Sequence, residues 1–269
     1  MNDIQEHSNV RIALLGAAGR MGRVIMETAG DYPGVYISAA LVSLDSSLVG
    51  QAVGKTHYSA DLHYALTVSD VLVDFSTSQA TAQAVDVCRG IGKPLVIGVT
   101  GFSVELMGNI RAASHDIALL VAPNMSLGAT LLQRLTGIAA RALSADYRVE
   151  ITDVHHRHKQ DAPSGTATAL GEAVAAARGV SLEKHAVYTR AGHTEPRRPG
   201  SIGFTSVRRD EVVGDHGVVF ESSVESLELT HHAHKREAFA LGALAAARWI
   251  SRQPPGLYAM ADVLGLPAL

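Results

Sequence analysis

Thirteen consecutive residues, Val154-His-His-Arg-His-Lys-Gln-Asp-Ala-Pro-Ser-Gly-Thr166, hold the densest chemistry of this chain. Three imidazoles, a guanidinium and an ammonium fall between His155 and Lys159. The turn Pro163-Ser164-Gly165-Thr166 follows, and an Ala-rich helical pattern starts there. A helix start presents unpaired backbone N–H groups and the positive end of the helix dipole, so cations beside it make an anion site. Histidines next to a lysine add proton donors that can be tuned near neutral pH. Together these features predict a small-molecule enzyme acting on a carboxylate-bearing substrate.

Three readings compete for His155, His156 and His158. In the first they bind a metal; His156 and His158 would share a face, with Asp153 and Asp161 the nearby carboxylates. In the second they are a solvated, basic strand end. In the third, which the neighbouring turn favours, they form an anion and proton-transfer site. Strict strand alternation places His155, Arg157 and Lys159 on one face and His156 on the other. Both His155 and His156 can reach one ligand only if the strand bends or bulges there. Ser164 or Thr166 serves as N-cap of the next helix, and Gly165 lets backbone approach a ligand closely.

A second signal lies near the N-terminus. Gly16-Ala17-Ala18-Gly19-Arg20-Met21-Gly22 comes directly after the apolar run Val10–Leu15 and directly before a helical pattern. Glycines there permit a tight turn, let backbone approach a pyrophosphate and let helix rest on strand. A dinucleotide site commonly carries an acid about 20 residues on, at the tip of the second strand. Here the tip reads Leu41-Val42-Ser43-Leu44-Asp45, with no acid before Asp45. An uncharged tip does not repel a 2′-phosphate, and Arg20 supplies a positive partner. The cofactor expected is NADPH or NADH, with these residues favouring NADPH. Further strand ends, Asp74-Phe75-Ser76-Thr77, Gly98-Val99-Thr100-Gly101 and Ala122-Pro123-Asn124-Met125-Ser126, fall where ligands of open parallel sheets bind.

The elements that position these residues follow a pattern. Strands are expected at Val10–Leu15, Tyr36–Val42, Val71–Phe75, Leu95–Val99 and Ile117–Ala122. Helices are expected at Arg23–Ala29, Ala80–Arg89 (with Gly90 as its end) and Val104–Ser114. This alternation predicts a parallel, doubly wound sheet. The pattern then changes to α+β, with helices over Gly128–Leu143 and Thr166–Arg178. The strands of this region are Tyr147–Asp153, with one wet face, and Ile202–Arg208, Val218–Ser223 and Ser226–Thr230. Arg190–Arg198 reads as a charged loop. Arg236–Arg252 is again helical, and the short tail Pro254–Leu269 is expected to pack back on the first domain. The expected domains are therefore 1–126 with 237–269, and 127–236.

Composition sets the outer bounds. Hydrophobic residues make up 47% and aromatics 5% of 269 residues, so Val, Ile, Leu and Ala must fill the core. A formal charge of −3 argues against a general nucleic-acid binder. The single cysteine, Cys88, excludes an intramolecular disulfide framework, fits a reducing compartment and reads as a buried thiol. The polar Met1–Asn9 is not a signal peptide, and no apolar run reaches the roughly 18–20 residues of a membrane helix. Cytoplasm, and no membrane partner, are the expectations.

These pieces, in this order, resemble the dihydrodipicolinate reductase family of the lysine and diaminopimelate pathway, also called 4-hydroxy-tetrahydrodipicolinate reductases. The likeness rests on the glycine loop, Asp74-Phe75, Ile97–Phe102, Ala122–Ser126, His155–Lys159, Asp161–Thr166, Gly203-Phe204 and Thr230-His231 leading to Arg236. It implies hydride transfer from NAD(P)H to a cyclic, unsaturated dicarboxylate. His155 matches the family's proton donor or acceptor, and Lys159 its general acid. His156, Ser164, Gly165, Thr166 and Thr100 match substrate contacts. Gly16, Ala17, Ala18, Gly19, Arg20, Met21, Gly98, Val99, Thr100, Ala122, Pro123, Asn124 and Met125 match cofactor contacts, and no metal is implied. The resemblance further implies a discontinuous Rossmann-like domain, a mixed-sheet domain for substrate binding and tetramerisation, and a homotetramer. Three positions depart from the family pattern. Val42 replaces a frequent acid, Val99 a hydroxyl residue, and Met125 a phenylalanine. The rival readings are a metal-dependent hydrolase using His155–His158 and a non-catalytic nucleotide-sensing protein.

Overall fold

The computed structural model describes residues 9–188, 192 and 198–266. Nearly all of the expected loop at Arg190–Arg198, and the polar segment before Asn9, lie outside the described residues. The chain divides into two compact units: the described residues up to Ser126 with Glu237–Gly265, and Leu127–Arg236 with Leu266.

The first unit opens with β1 (Val10–Leu15), α1 (Arg20–Ala29) and β2 (Val35–Leu41). It continues with β3 (Ala52–Val53), β4 (Thr56–Ser59), α2 (Leu62–Thr67), β5 (Val71–Asp74), α3 (Ser78–Ile91), β6 (Leu95–Ile97), α4 (Val104–Ala113) and β7 (Ala118–Val121). The second unit holds α5 (Leu127–Ala142), β8 (Arg148–His155), α6 (Gly165–Arg178), α7 (Leu182–His185) and β9 (Ala186–Val187). It ends with β10 (Ile202–Arg208), β11 (Gly214–Glu221) and β12 (Ser226–Ala233). The chain then re-enters the first unit as α8 (Glu237–Ile250), β13 (Gly256–Tyr258) and α9 (Met260–Val263).

The first sheet has the order β13-β7-β6-β5-β1-β2-β4-β3. Its pairings are parallel except for the β3–β4 hairpin. Strands such as Val71–Asp74 are buried along their whole length, which is why they read as apolar runs rather than alternations. From β1 the chain goes first to β2 on one side and later to β5 on the other, so the carboxyl end of β1 is the topological switch point. Leu72, Leu95, Leu119, Ile110, Val85 and Cys88 belong to the core on one face. Burial, with the nearby Asp74 charge second, pushes the Cys88 thiol far up, so it is an inert core residue.

The second sheet is mixed, in the order β12-β11-β8-β10-β9. Val149 and Ile151 of β8, Val218 and Phe220 of β11, and Ile202 and Phe204 of β10 pack with Leu170 and Val174 of α6 and Leu132 of α5. The wet face expected for β8 is present: Arg148 and Thr152 are exposed, while Val149 and Ile151 are fully buried.

Several expected boundaries move. The third helix does not stop at Gly90. It continues to Ile91, and the left-handed cap is Gly92, whose amide reaches the Arg89 and Cys88 carbonyls. β8 runs two residues past Asp153 because β10 and β11 pair with it through His155 and Val154 respectively. β11 and β12 are longer than expected for the same reason, since their polar ends pair with each other. The short elements β3, β4, α2 and β9 have no expected counterpart; with two to six residues each, they carry too little periodicity to read.

Candidate active site

The glycine loop sits at the switch point. Gly16 has φ +83°, and a Cβ there would stand 2.6 Å from the Phe75 carbonyl oxygen. A Cβ on Gly22 would stand 2.2 Å from the Gly16 carbonyl oxygen. The loop is therefore closed on itself in a way that only glycine permits. The amides of Gly16 and Ala17 both donate to the Leu41 carbonyl, which ties the loop to the end of β2. No side chain caps α1 at Gly19, whereas Asp61, Thr77, Ser103 and Ser164 cap α2, α3, α4 and α6. An open helix start is where a phosphate binds.

Beside it lies a cavity of about 420 Å³ lined by Arg20, Met21, Phe75–Ser78 and Gly98–Thr100. Arg20 is exposed, and no hydrogen bond or ion pair is seen for it among the described residues. Asp74 is buried and fixes this rim: it accepts from the Ser76 amide at 2.8 Å and from Thr81 Oγ1 at 2.6 Å. Burial pushes its carboxyl up, against the pull of these hydrogen bonds. Phe75 sets the other wall, since a Cβ on Gly98 would come within 2.5 Å of its ring. Of the expected cofactor contacts, Arg20, Met21, Gly98, Val99 and Thr100 line this cavity. Gly16, Ala17, Ala18, Gly19, Ala122, Pro123, Asn124 and Met125 do not. Met125 is buried 1.7 Å, by its carbonyl, from where a Cβ on Gly242 would stand, and Asn124 Oδ1 accepts from the Ser126 amide. Phe75, Ser76 and Thr77, expected at a ligand-facing strand end, line the cavity as well, and Ser78, which was not singled out, joins them.

In the second unit the strand ends at His155. The chain turns away immediately: the Arg157 amide donates to the Asp210 carbonyl, and the Lys159 amide to that of His156. The alternation that would have stacked Arg157 and Lys159 on His155 is thereby broken. Arg157 instead meets Glu211 at 3.1 Å on the surface. Lys159 Nζ lies 2.9 Å from Asp161 Oδ2, and this hydrogen bond holds the Asp161 carboxyl below the usual range. His156 is partly buried; burial, then the charge of Arg236, pushes its ring pKa down.

His155 belongs to a buried polar cluster at the carboxyl end of β8. Its Nδ1 lies 2.8 Å from Asp153 Oδ1. The approach is off the ring N–H axis, so neither atom has a partner at hydrogen-bonding angles. Burial would raise the Asp153 carboxyl, but the approach of His155 and the hydrogen bonds of Ser164 hold it well below the usual carboxylate range. His216 stands edge-on to His155, with ring centroids 5.1 Å apart. Burial, then the charge of His155, pushes its pKa down to about 4. Ser164 caps α6 by accepting from the Ala167 amide, and its Oγ is 3.3 Å from His216 Nε2. The hydroxyl is thus engaged in structure, while Gly165 is exposed with nothing within 4 Å of a Cβ position. Asp153, His155 and His216 present donor atoms within 4.8 Å of one another, a spacing that a metal ion accepts. The Arg208 guanidinium, 3.1 Å from Asp153 Oδ2, already supplies positive charge at that carboxylate.

Residues 10–125 match the family model described as "Dihydrodipicolinate reductase, N-terminus", and residues 128–264 the model for its C-terminus. The chain belongs to the dihydrodipicolinate reductase family. Relatives named 4-hydroxy-tetrahydrodipicolinate reductase include one from Nitrosomonas eutropha, 47% identical over 96% of this chain and 98% of its own. Another, from Thiobacillus denitrificans, is 46% identical over 96% of this chain and 99% of its own. Among solved structures, the dipicolinate-bound dihydrodipicolinate reductase from Paenisporosarcina sp. TG-14 shares the fold. Its TM-score is 0.73 at 23% identity, covering 94% of this chain and 98% of that one. Sequence reading of this reductase-family chain missed Arg208, Ser206 and His216, and met Asp153 only as a metal-set candidate. Asp153 lies two residues before His155, so strand parity alone places it on the same face. No described helix is long and apolar enough to cross a membrane.

Proposed function

We propose that this chain reduces 4-hydroxy-tetrahydrodipicolinate to tetrahydrodipicolinate with NADPH or NADH, in lysine and diaminopimelate formation. One observation carries the reading. In a chain matching the reductase family along both parts, the His155–Thr166 segment joins a buried carboxylate–imidazole pair to an exposed helix start at Gly165.

The overall reaction adds one hydride and one proton to the ring and releases one water. The bound nicotinamide supplies the hydride. Gly16, Ala17, Ala18, Gly19, Arg20 and Met21 would hold the pyrophosphate at the uncapped start of α1, and Gly98–Thr100 would border the nicotinamide end. Ala122–Met125, which follow β7, are assigned to the cofactor by the family resemblance alone. In the second unit, Lys159, His156 and the amides at Gly165 and Thr166 would bind the substrate carboxylates. Thr100 is assigned to both ligands. Ser164 contributes through the cap it makes. His155 and Lys159 would exchange the proton with the ring. Lys159 must leave Asp161 to do so, and a substrate carboxylate offers it an equivalent partner.

Arg20 and the absence of an acid at Val42 favour NADPH. The family's homotetramer, assembled through the second unit, is the corresponding proposal for quaternary state, and cytoplasm for location. Following NADPH and NADH consumption with freshly generated pathway substrate tests the activity. Consumption dependent on the dicarboxylate is expected, and none with either nucleotide would overturn the reading.

A further inference from the structure

The proton-transfer reading leaves one buried charge without a purpose. Asp153 is 1% exposed and follows Val149 and Ile151 on the core face of β8. A carboxylate in that position is costly unless its environment holds it. Its two oxygens have separate surroundings. Oδ2 is saturated by the Ser164 amide at 2.9 Å, Arg208 at 3.1 Å and Ser206 Oγ at 3.3 Å. Oδ1 faces two imidazoles, His155 Nδ1 at 2.8 Å and His216 Nε2 at 3.7 Å.

Strand register delivers these groups. Asp153 pairs with Ser206 on β10 and with His216 on β11, so one row across the sheet reads Ser206–Asp153–His216. The next row on the same face places Arg208 beside His155. On the other side stands Gly214, where a Cβ would approach His155 Nε2 to 3.0 Å. The Nε2 side of the ring is therefore kept clear by a residue without a side chain.

We infer that Asp153 is the positioning residue of this site. Its Oδ1 fixes His155 as the tautomer protonated on Nδ1, which leaves Nε2 to exchange a proton with substrate. Its Oδ2 meanwhile anchors the Ser164 amide, where the carboxylate-binding turn begins. One side chain thus sets the spacing between the proton-transfer ring and the anion-binding helix start. The 2.8 Å contact is not aligned as a hydrogen bond without substrate, and catalytic pairs commonly tighten when substrate seats. His216 stays uncharged near neutral pH, so it competes for Oδ1 only as a neutral donor. The inference rests on the assignment of His155 to proton transfer.

Asp153→Asn removes the charge and keeps the size, while Asp153→Glu restores the charge. At saturating dicarboxylate and NADPH, kcat is expected to fall at least about tenfold in D153N, with nucleotide Kd within about twofold of wild type. D153E recovers most of that loss. In a His155→Gln background, adding D153N costs less than about twofold, because two groups acting as one unit are non-additive. Long-range ¹H–¹⁵N spectra of the wild type place the His155 ring proton on Nδ1. D153N turning over within about twofold of wild type would overturn the inference. So would its full penalty persisting beside H155Q, or a wild-type ring proton on Nε2. If D153N does not fold, the wild-type spectrum and D153E decide. Normal turnover of H155Q would instead refute the role given to His155 in the proposed function, and the tautomer spectrum would still test Asp153.

Discussion

His216 gives the stability of this chain a pH dependence of known sign. Its ring is 4% exposed, and burial, with the charge of His155 next, brings its pKa to about 4. Unfolding returns it to an ordinary value of about 6.5. Between those values the unfolded chain binds a proton that the folded chain refuses. The contribution is therefore fully present above about pH 6.5 and is lost as pH falls toward 4. A shift of about 2.5 units is worth about 3 kcal/mol in all, of which about 2 kcal/mol disappears between pH 7 and pH 4.5. His156 and His231, also held low mainly by burial, act in the same direction, and Asp74, held high by burial, acts against them. The total is thus a composite, and a comparison isolates the one ring. Urea unfolding of wild type and His216→Gln, followed by circular dichroism at pH 7 and pH 4.5 and at equal protein concentration, gives four free energies. The wild type should lose about 2 kcal/mol more than the variant on acidification, whatever H216Q costs at pH 7. Losses equal within about 0.5 kcal/mol would refute the claim that His216 is buried as the neutral base.

Three further outcomes follow from the two units. Lys159→Ala should lose at least about a hundredfold in turnover while keeping its nucleotide Kd, and near-normal turnover would remove Lys159 from proton transfer. Arg20→Ala should weaken NADPH binding about tenfold and leave NADH within about twofold; equal effects on both would detach Arg20 from the 2′-phosphate. Gly98→Ala forces a Cβ within 2.5 Å of the Phe75 ring. Overpacking of that kind costs about 1–3 kcal/mol, so thermal unfolding should shift downward and nucleotide affinity fall with it; an unchanged melting curve would show that Phe75 yields freely.

The glycine loop was legible because its shape is written in local rules. A turn that excludes Cβ atoms, a preceding buried strand and a following helix all lie within about 20 residues, so sequence order and spatial order coincide there. The β8 site obeys another rule. Its first half was also local: parity puts Asp153, His155 and the apolar Val149 and Ile151 on one face, and Ser164 is an N-cap by composition. Its second half depends on which strands flank β8 and in what register. Ser206 and His216 are separated from Asp153 by 53 and 63 positions, and Val154 would stand in Asp153's place if β11 slipped by one residue. Nothing local to Gly214-Asp215-His216 marks its histidine as more than a strand residue. The same long-range pairing explains why β8 ran past its expected end, since the polar His155 continues the strand only because β10 bonds to it. Arg157 and Lys159 fail the alternation expected of them because pairing with β10 stops at His155. The His155–Lys159 segment is thus split by the edge of the ladder: His155, still paired, faces inward on a buried carboxylate, and Arg157 just beyond it turns to the surface. A site made this way needs the strand to end at one particular residue. Lengthening β8 by one pair would bury His156 or rotate it to the far face, and the proposed anion site would lose a donor without any change in composition.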